Sequence, residues 1–184
     1  IADHSPTLKI ANGAPADRLL EQGQTIRKYN QNWQDEGVNF RLFHGVESDI
    51  LAGGKLDHPD EVLSELDYVV ASVHAMTKWR GRDESENTEE LLKVLDHPAT
   101  KVLGHRTGRI LQGLEGYEVD VHRLIDAMAE HIEDGRFKSI ELNASPYRLD
   151  IDYRLCKYAK LMGVPVAISP DAHSIRGLAD IQYG

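Results

Sequence analysis

The chain has 184 residues, 41% of them hydrophobic and 28% charged, which is ordinary for one globular domain. Its net charge of −9 argues against a broad basic surface for nucleic acid, although bound metal ions would offset acidic charge locally. Cys156 is the only cysteine, which excludes an intrachain disulfide and favours a reducing compartment such as the cytoplasm. No apolar run approaches the roughly 20 residues that a membrane-spanning helix needs, so we expect no membrane partner.

Short apolar runs alternate with longer amphipathic stretches along the chain. In chain order, the amphipathic stretches predict helices at 16–36, 59–65, 87–95, 120–132 and 152–162. Asn87 or Thr88 is expected to cap the third helix, and Gly163 is a typical stop for the last one. The apolar runs predict strands at 40–46, 68–73, 101–103, 139–142 and 164–169. Ile1 reads as the end of one more strand, the first in chain order, which makes six.

This alternation determines the expected fold class. Strands separated by helices predict an α/β protein with a mostly parallel sheet, whose strands are buried on both faces and therefore continuously apolar. A barrel and an open doubly wound sheet both fit the pattern. No G-x-G-x-x-G sequence lies between a strand and a helix, so a dinucleotide-binding fold has no support.

Metal-capable or polar side chains follow nearly every predicted strand. In chain order they are His4, Glu47, His74, His105, Asn143, Asp171 and His173. In a parallel α/β barrel the C-terminal ends of all strands meet on one face, so these side chains are expected to converge. Imidazole and carboxylate groups suit Zn, Mn or Fe. Glu47 could bridge two ions, and a pair of metals activates water for phosphoester hydrolysis.

Each histidine also has an ordinary structural interpretation, because a single histidine after a strand is usually a hydrogen-bonded boundary residue. His44 lies three residues before Glu47. On a strand the two side chains therefore point to opposite faces, and we expect His44 to be a packed side chain rather than a ligand. The remaining histidines fall in predicted loops or helices, and we expect surface roles for them: His58, His97, His122 and His131.

Five segments resemble the PHP family, named for polymerase and histidinol phosphatase. They are Ile1-Ala2-Asp3-His4-Ser5, Gly45-Val46-Glu47, Ala71-Ser72-Val73-His74, Leu103-Gly104-His105 and Ser169-Pro170-Asp171-Ala172-His173-Ser174. Two further stretches resemble in particular the C-terminal PHP domain of bacterial X-family DNA polymerases. These are His105-Arg106-Thr107-Gly108-Arg109 and the region from Ile140-Glu141-Leu142-Asn143-Ala144 to Pro146-Tyr147-Arg148-Leu149-Asp150, although Arg106 replaces a proline usual in that group.

The resemblance implies a distorted (β/α)7, TIM-like barrel that holds up to three divalent metals, Zn or Mn, with Fe as a further option. Carried over by motif, Glu47, His74 and His105 hold one ion, Glu47 and Asp171 a second, and His4 and His173 a third. The resemblance thus makes Glu47 and Asp171 the candidate catalytic carboxylates, acting with metal-bound water. The family's opening strand, with its His-x-His ligands, has no counterpart here. We therefore expect a single domain over 1–184 that lacks its first strand and is truncated at the N-terminus and at the C-terminus.

Several other polar residues are candidates for substrate binding. Arg109 and Arg148 follow strand ends and could hold a phosphate, or could instead form structural ion pairs. Asn143 could orient water or substrate, or make a structural hydrogen bond. The loop after His74 carries Lys78, Trp79, Arg80 and Arg82, where a base could stack on the tryptophan, although a packed tryptophan fits equally well.

Three functions remain open from the sequence. The favoured one is a phosphoesterase that acts on DNA 3′ ends, as a 3′–5′ exonuclease or 3′-end processing domain, with a polymerase domain in the same parent chain and a role in DNA repair. A stand-alone phosphatase of small phosphomonoesters is the second. A non-catalytic PHP module that scaffolds a polymerase is the third.

Overall fold

A curled sheet with helices on its outer face organises the chain, for which the computed structural model describes residues 1–74, 79 and 81–184. The strands are β1 (Ala2–His4), β2 (Gly45–Leu51), β3 (Lys55–Leu56), β4 (Tyr68–Ser72), β5 (Thr100–Leu103), β6 (Ser139–Asn143) and β7 (Val166–Ser169). The helices are α1 (Ala16–Asp35), α2 (Asp60–Leu63), α3 (Glu84–Asp96), α4 (Val121–Glu133) and α5 (Tyr153–Leu161). Two 3-10 helices span Lys9–Ala11 and Arg176–Tyr183.

The sheet is parallel along its main path. Its order is β1-β2-β4-β5-β6-β7, and every pair on this path is parallel, while the two-residue β3 pairs antiparallel with β2. The segment after β7 approaches the end of β1, where His4 Nε2 lies 3.2 Å from His173 Nε2. The α/β class and the parallel sheet are thus confirmed, and the sheet is curled like part of a barrel.

Side chains alternate between the two faces of each strand, as the period of two requires. One face packs against the helices, with Val46, Val69, Leu103 and Ile140 all at most 1% exposed. The neighbouring residues line a cavity on the concave face: Glu47, Val70, Val102 and Glu141. Carboxylates therefore occupy the interior of the curled sheet, and its apolar core lies between sheet and helices.

The outer helices pack side by side, α3 on α4 and α4 on α5. The expected cap of α3 at Asn87 or Thr88 is wrong, because the helix begins earlier. Asp83 is the N-cap, and it forms a capping box in which its side chain accepts from the Glu86 amide at 2.8 Å. Asn87 is buried and donates to main-chain carbonyls instead. In the described part of the chain, every helix is too short or too polar to cross a bilayer.

The predicted strand at 40–46 is displaced in the structure, where β2 covers Gly45–Leu51. The segment before β2 is held to α1 by a side chain rather than by a neighbouring strand. Asn30 donates to the Leu42 carbonyl and accepts from its amide, each at 2.8 Å. The true strand was hidden because three of its seven residues are polar, yet all three are buried, including Asp49 at 3% exposure.

His44 packs under α1, as predicted. It is 4% exposed, and a Cβ placed on Gly23 of α1 would lie 2.7 Å from its imidazole ring. Glycine at that position lets the helix approach the histidine closely.

The surface roles expected for four other histidines hold only in part. His58 is 6% and His131 is 7% exposed, so the expectation is wrong for both. His131 lies three residues after Met128 on the apolar face of α4, and its Nε2 is 3.4 Å from Asp96. His97 is partly exposed, and His122 is exposed.

Candidate metal centre

Six metal-capable side chains lie on or just after five parallel strands. His4 ends β1, Glu47 is the third residue of β2, and His74 and His105 follow β4 and β5 by two residues. Asp171 and His173 follow β7. The register pairs His4 directly with Glu47, so the first two side chains are neighbours across the sheet.

Three of these side chains form a tight triangle of ligand atoms. His74 Nε2 is 3.4 Å and His105 Nε2 is 3.3 Å from Glu47 Oε1, and the two imidazole nitrogens are 3.1 Å apart. A zinc ion with ligands at about 2.0–2.1 Å in a tetrahedral site requires neighbouring ligand atoms to be about 3.3–3.4 Å apart. The triangle therefore has the size of one face of such a tetrahedron, and these three residues fit a single divalent ion with one position left over.

The second oxygen of Glu47 faces another histidine. Oε2 is 3.2 Å from His4 Nδ1, which is buried and has no hydrogen-bond partner among the described residues. His4, Glu47 and His74 together also offer ligand atoms within 4.8 Å of one another. The other nitrogen of His4 is the one that contacts His173. Glu47 thus presents one oxygen to each of two neighbouring histidine groups.

The surroundings shift the pKa values of Glu47 and His74 in opposite directions. Burial acts to raise the pKa of Glu47, but the hydrogen bond from His74 and the nearby His105, His74 and His4 together hold it well below its usual range. Burial acts to lower the pKa of His74, but hydrogen bonds to Asp49 and Glu47 raise it to about 9. Burial lowers the pKa of His4. In the metal-free protein at neutral pH, a carboxylate at Glu47 therefore faces a protonated His74.

Two buried carboxylates behind the triangle orient its histidines. Asp49 Oδ1 is 3.0 Å from His74 Nδ1, and Glu141 Oε2 is 3.3 Å from His105 Nδ1 and also accepts the main-chain N–H of His105. Each carboxylate fixes a proton on Nδ1 and leaves Nε2 free to bind a metal. The sequence reasoning missed both, although Asp49 lies two residues after Glu47 on the same strand face, and Glu141 interrupts an apolar strand.

Asp171 lies at the edge of the cluster in a polar group of its own. Its Oδ2 accepts from Asn143 Nδ2 at 3.1 Å and is 3.4 Å from Arg148 Nε, and its Oδ1 is 3.7 Å from His173 Nδ1. Asn143 is fully buried, and its Oδ1 accepts a hydrogen bond from the main-chain N–H of Ser145. Of the two alternatives for Asn143, the structure thus shows the hydrogen bond, and its partner is a predicted site residue.

The guanidinium group of each candidate arginine contacts the main-chain carbonyl of the other. Arg109 Nε donates to the Arg148 carbonyl at 2.9 Å, and Arg148 Nη1 is 3.5 Å from the Arg109 carbonyl. The neighbouring Arg106 is different, because it is 1% exposed and lies 3.3 Å from Asp150. Arg106 is therefore a buried structural side chain, whereas Arg109 and Arg148 lie at the rim of the site.

A cleft of about 280 Å³ opens beside the cluster. Its polar wall consists of His4, His74, Arg148, Asp171 and His173, and its apolar wall includes Leu8, Ile10 and Ile110. A second cavity of about 800 Å³ lies between the edges of β1 and β7 and reaches Glu47 and Glu141 from the interior of the sheet. Solvent and small molecules can thus approach the cluster from two sides.

Trp79, which follows His74 in the sequence, is not available for stacking. Trp79 is 3% exposed and packs against Tyr117, with ring centroids 6.2 Å apart, while the Arg82 guanidinium lies 5.5 Å from the tryptophan ring. The structure therefore favours the packed alternative for this tryptophan. Lys78 and Arg80, the basic residues on either side of Trp79 in the sequence, lie outside the described residues.

Comparison with known proteins gives relatives of two kinds. The chain is 37% identical over 184 residues to a Bacillus subtilis protein named DNA polymerase/3'-5' exonuclease PolX, covering all of this chain and 30% of that protein. It is 32% identical over 145 residues to a probable phosphatase of Caldanaerobacter subterraneus subsp. tengcongensis, covering 75% of this chain and 52% of the relative. A probable phosphatase of Thermoanaerobacter sp. is 31% identical over 145 residues, with 75% and 54% covered.

No protein-family model matches the chain. The chain spans about a third of the polymerase relative and about half of each phosphatase relative. One relative is aligned over the whole chain and the others over three quarters of it, so the shared region includes most of the strands that carry the cluster. The chain belongs to the PHP family and is related to the PHP domains of X-family DNA polymerases.

Proposed function

We propose that this chain is a metal-dependent phosphoesterase domain. The observation that carries the proposal is the position of Glu47, whose two oxygens face two different histidine groups at 3.2–3.4 Å. A carboxylate placed in this way is suited to bridge two ions, and paired ions are the usual means of phosphoester hydrolysis. A purely structural ion pair would need only one histidine.

The proposed ligand sets are those that the resemblance to the PHP family implies. Glu47, His74 and His105 would hold one ion, Glu47 and Asp171 would contribute to a second, and His4 and His173 to a third. Nitrogen and carboxylate donors suit Zn, Mn or Fe. When bound, such ions acidify water and stabilise negative charge on phosphoester oxygens.

The chain's own residues would then position the substrate. Arg148 lines the cleft beside the cluster and can bind a phosphate through its guanidinium fork. Asn143 would hold Asp171 in place through its hydrogen bond to Oδ2. Asp49 and Glu141 keep the Nε2 atoms of His74 and His105 turned toward Glu47. The apolar wall at Leu8 and Ile110 would exclude water from one side of the reacting phosphate.

For the substrate, we favour the 3′ end of DNA, within a protein that also carries a polymerase domain and acts in DNA repair. The full-length match to a protein named as a polymerase and 3'-5' exonuclease supports this choice. Hydrolysis of small phosphomonoesters is the second candidate, which the several relatives named probable phosphatases favour. The lone cysteine is compatible with a cytoplasmic location.

We also propose that the sheet belongs to a complete (β/α)7 barrel whose remaining strand lies upstream. The edges of β1 and β7 flank the cavity of about 800 Å³, and both carry main-chain groups that a parallel strand could pair. That strand would add ligands to the second and third ions, which have only two protein ligands each here, fewer than the three or four usual at zinc sites. We therefore expect the 184-residue chain to have little activity alone.

The decisive experiment measures metal content and turnover together. The full-length protein would be loaded with Mn²⁺ or Zn²⁺ and assayed on end-labelled oligonucleotides and on sugar phosphates, beside the Glu47→Gln variant and the exposed control Glu133→Gln. We expect turnover that Glu47→Gln abolishes and Glu133→Gln preserves. Full turnover in Glu47→Gln would sink the proposal, and a protein without metal or turnover would be a scaffold instead.

A second comparison tests the upstream strand. The isolated chain and a longer chain extended upstream through one more strand would be assayed side by side. Equal activity in both would show that the upstream ligands are dispensable.

A further inference from the structure

Two arginines at the rim of the cleft are held together by hydrogen bonds from each guanidinium to the other's main-chain carbonyl. Arg109 Nε donates to the Arg148 carbonyl at 2.9 Å, and Arg148 Nη1 reaches the Arg109 carbonyl at 3.5 Å. These contacts use one nitrogen of each guanidinium. Because each side chain is fixed to the other's backbone, the two charged groups are held side by side at little further cost in entropy.

The two arginines line different but adjoining depressions. Arg148 lines the cleft that contains His4, His74 and Asp171. Arg109 lines a neighbouring open depression of about 420 Å³, formed by the loop 109–116. Ile110 lines both. An extended ligand can therefore pass from the cluster, over Ile110, to Arg109.

The charge partners of the two arginines also differ. Arg148 is 3.4 Å from Asp171, a carboxylate of the proposed metal centre. Within residues 1–74, 79 and 81–184, Arg109 has no acidic side-chain atom within 4.0 Å. Glu115 lines the same depression without forming such a pair. At longer range, the pKa of Asp152 is lowered by its hydrogen bonds with Arg154 and, to a lesser degree, by the charge of Arg109. A positioned guanidinium that forms no close ion pair with a described carboxylate is suited to bind an anion from outside, and a guanidinium fork matches phosphate.

We infer that Arg109 forms a second phosphate subsite, so that the substrate is a diester strand with one phosphate beside Arg148 at the metal centre and the adjacent phosphate at Arg109. This inference rests on the proposed function for the first phosphate. It makes Arg109 the residue that distinguishes a nucleic-acid strand from a small phosphomonoester, because a monoester fills only the subsite at Arg148.

The first test counts phosphate contacts by salt dependence. A labelled oligodeoxythymidine with hydrolysis-resistant phosphorothioate linkages would be titrated with the Mn²⁺-loaded full-length protein at several salt concentrations. Each phosphate contact to a single strand contributes about 0.7 to the slope of log Kd against log salt. We expect Arg109→Gln to lower this slope by about 0.7, Arg109→Lys to keep it, and the control Arg136→Gln, an exposed residue paired with Asp134, to leave it unchanged. Glu115→Gln should tighten binding.

The second test compares substrates. Arg109→Gln should reduce kcat/KM on an oligonucleotide about tenfold more than on p-nitrophenyl phosphate, as the loss of one charged hydrogen bond predicts. An unchanged salt slope in Arg109→Gln, or equal losses on both substrates, would overturn the second subsite. A small bisphosphate would be assayed in parallel. If Arg109→Gln reduced kcat/KM more on this bisphosphate than on the oligonucleotide, the assignment of a nucleic-acid strand as the substrate would be overturned. A wild-type protein that hydrolyses nothing would refute the proposed function instead, and the binding titration would still decide on the subsite.

Discussion

Replacing Glu141 by glutamine tests whether buried carboxylates behind the triangle tune the metal centre. Glu141 touches no proposed substrate or ion, and it acts through His105, whose ring nitrogen and main-chain N–H both face Glu141 Oε2. Glutamine has nearly the same shape and can still accept one of these hydrogen bonds. The substitution thus removes the negative charge and leaves the packing nearly intact.

The expected magnitude follows from the hydrogen bond that changes. A hydrogen bond to a charged group contributes about 1.5–3 kcal/mol and a neutral one about 0.5–1.5 kcal/mol, so Glu141→Gln should cost about 1–1.5 kcal/mol of binding free energy. That corresponds to roughly a tenfold weaker metal affinity, at the lower end of the 10–100-fold effects typical of such outer carboxylates. The free energy of unfolding of the metal-free protein should change much less.

The assay is competition for Zn²⁺ or Mn²⁺ against a chromogenic chelator, with thermal unfolding of the metal-free protein as a separate readout. Glu133→Gln on the exposed face of α4 is the matched control, because it makes the same chemical change far from the cluster. Asp49→Asn should give a similar loss through His74. Wild-type affinity in Glu141→Gln would refute the positioning role, and a large loss of metal-free stability would show that Glu141 serves the fold instead.

Four further predictions follow from the site and its surroundings. Glu47→Ala should remove metal and activity together with little loss of stability, since the core lies on the other face of the sheet, and retained turnover would contradict this. Metal binding at pH 7 should release about one proton from His74, whose pKa is about 9, so calorimetry in two buffers should show it and affinity should rise about tenfold per pH unit up to pH 9. Gly104→Ala should lower the free energy of unfolding by about 1–3 kcal/mol, because its Cβ would lie 2.2 Å from Ser72 Oγ, whereas a Cβ at Gly81 meets no described atom within 4 Å and is the control for chemical denaturation. Burial lowers the pKa of Lys138 to about 8, so the unfolded state binds more protons between pH 8 and 10.5, and the free energy of unfolding should rise with pH there unless Lys138 is replaced by Met.

Much of the site was predictable because one rule places it. Parallel strands end on one face, so His4, His74, His105 and Asp171 could be brought together from strand assignments alone, even though they are far apart in sequence. The exact end of each strand did not matter for this argument. It mattered for Glu47, which lies inside β2 rather than after it, yet still faces the interior because its side of the strand is fixed by the period of two.

What escaped prediction depends on contacts between distant segments. The displaced β2 could not be found because Asn30, on a helix, satisfies the backbone at Leu42 in place of a strand partner. Asp49 and Glu141 look like ordinary acids in sequence, and only the fold places them behind imidazoles. The contact between Arg109 and Arg148 depends on main-chain carbonyls, which carry no sequence signal.

The contact between His4 and His173 has a consequence for folding. These residues are 169 positions apart, and they join the first strand of the described sheet to the segment after the last one. An ion held by both would join the two ends of the chain only in the folded state, so it would stabilise the fold by mass action. The gain would be about 2.7 kcal/mol when the free metal is at roughly 100 times its dissociation constant. Removal of the metal by a chelator should therefore loosen the edges of the sheet first. The free energy of unfolding would then depend on the concentration of free metal.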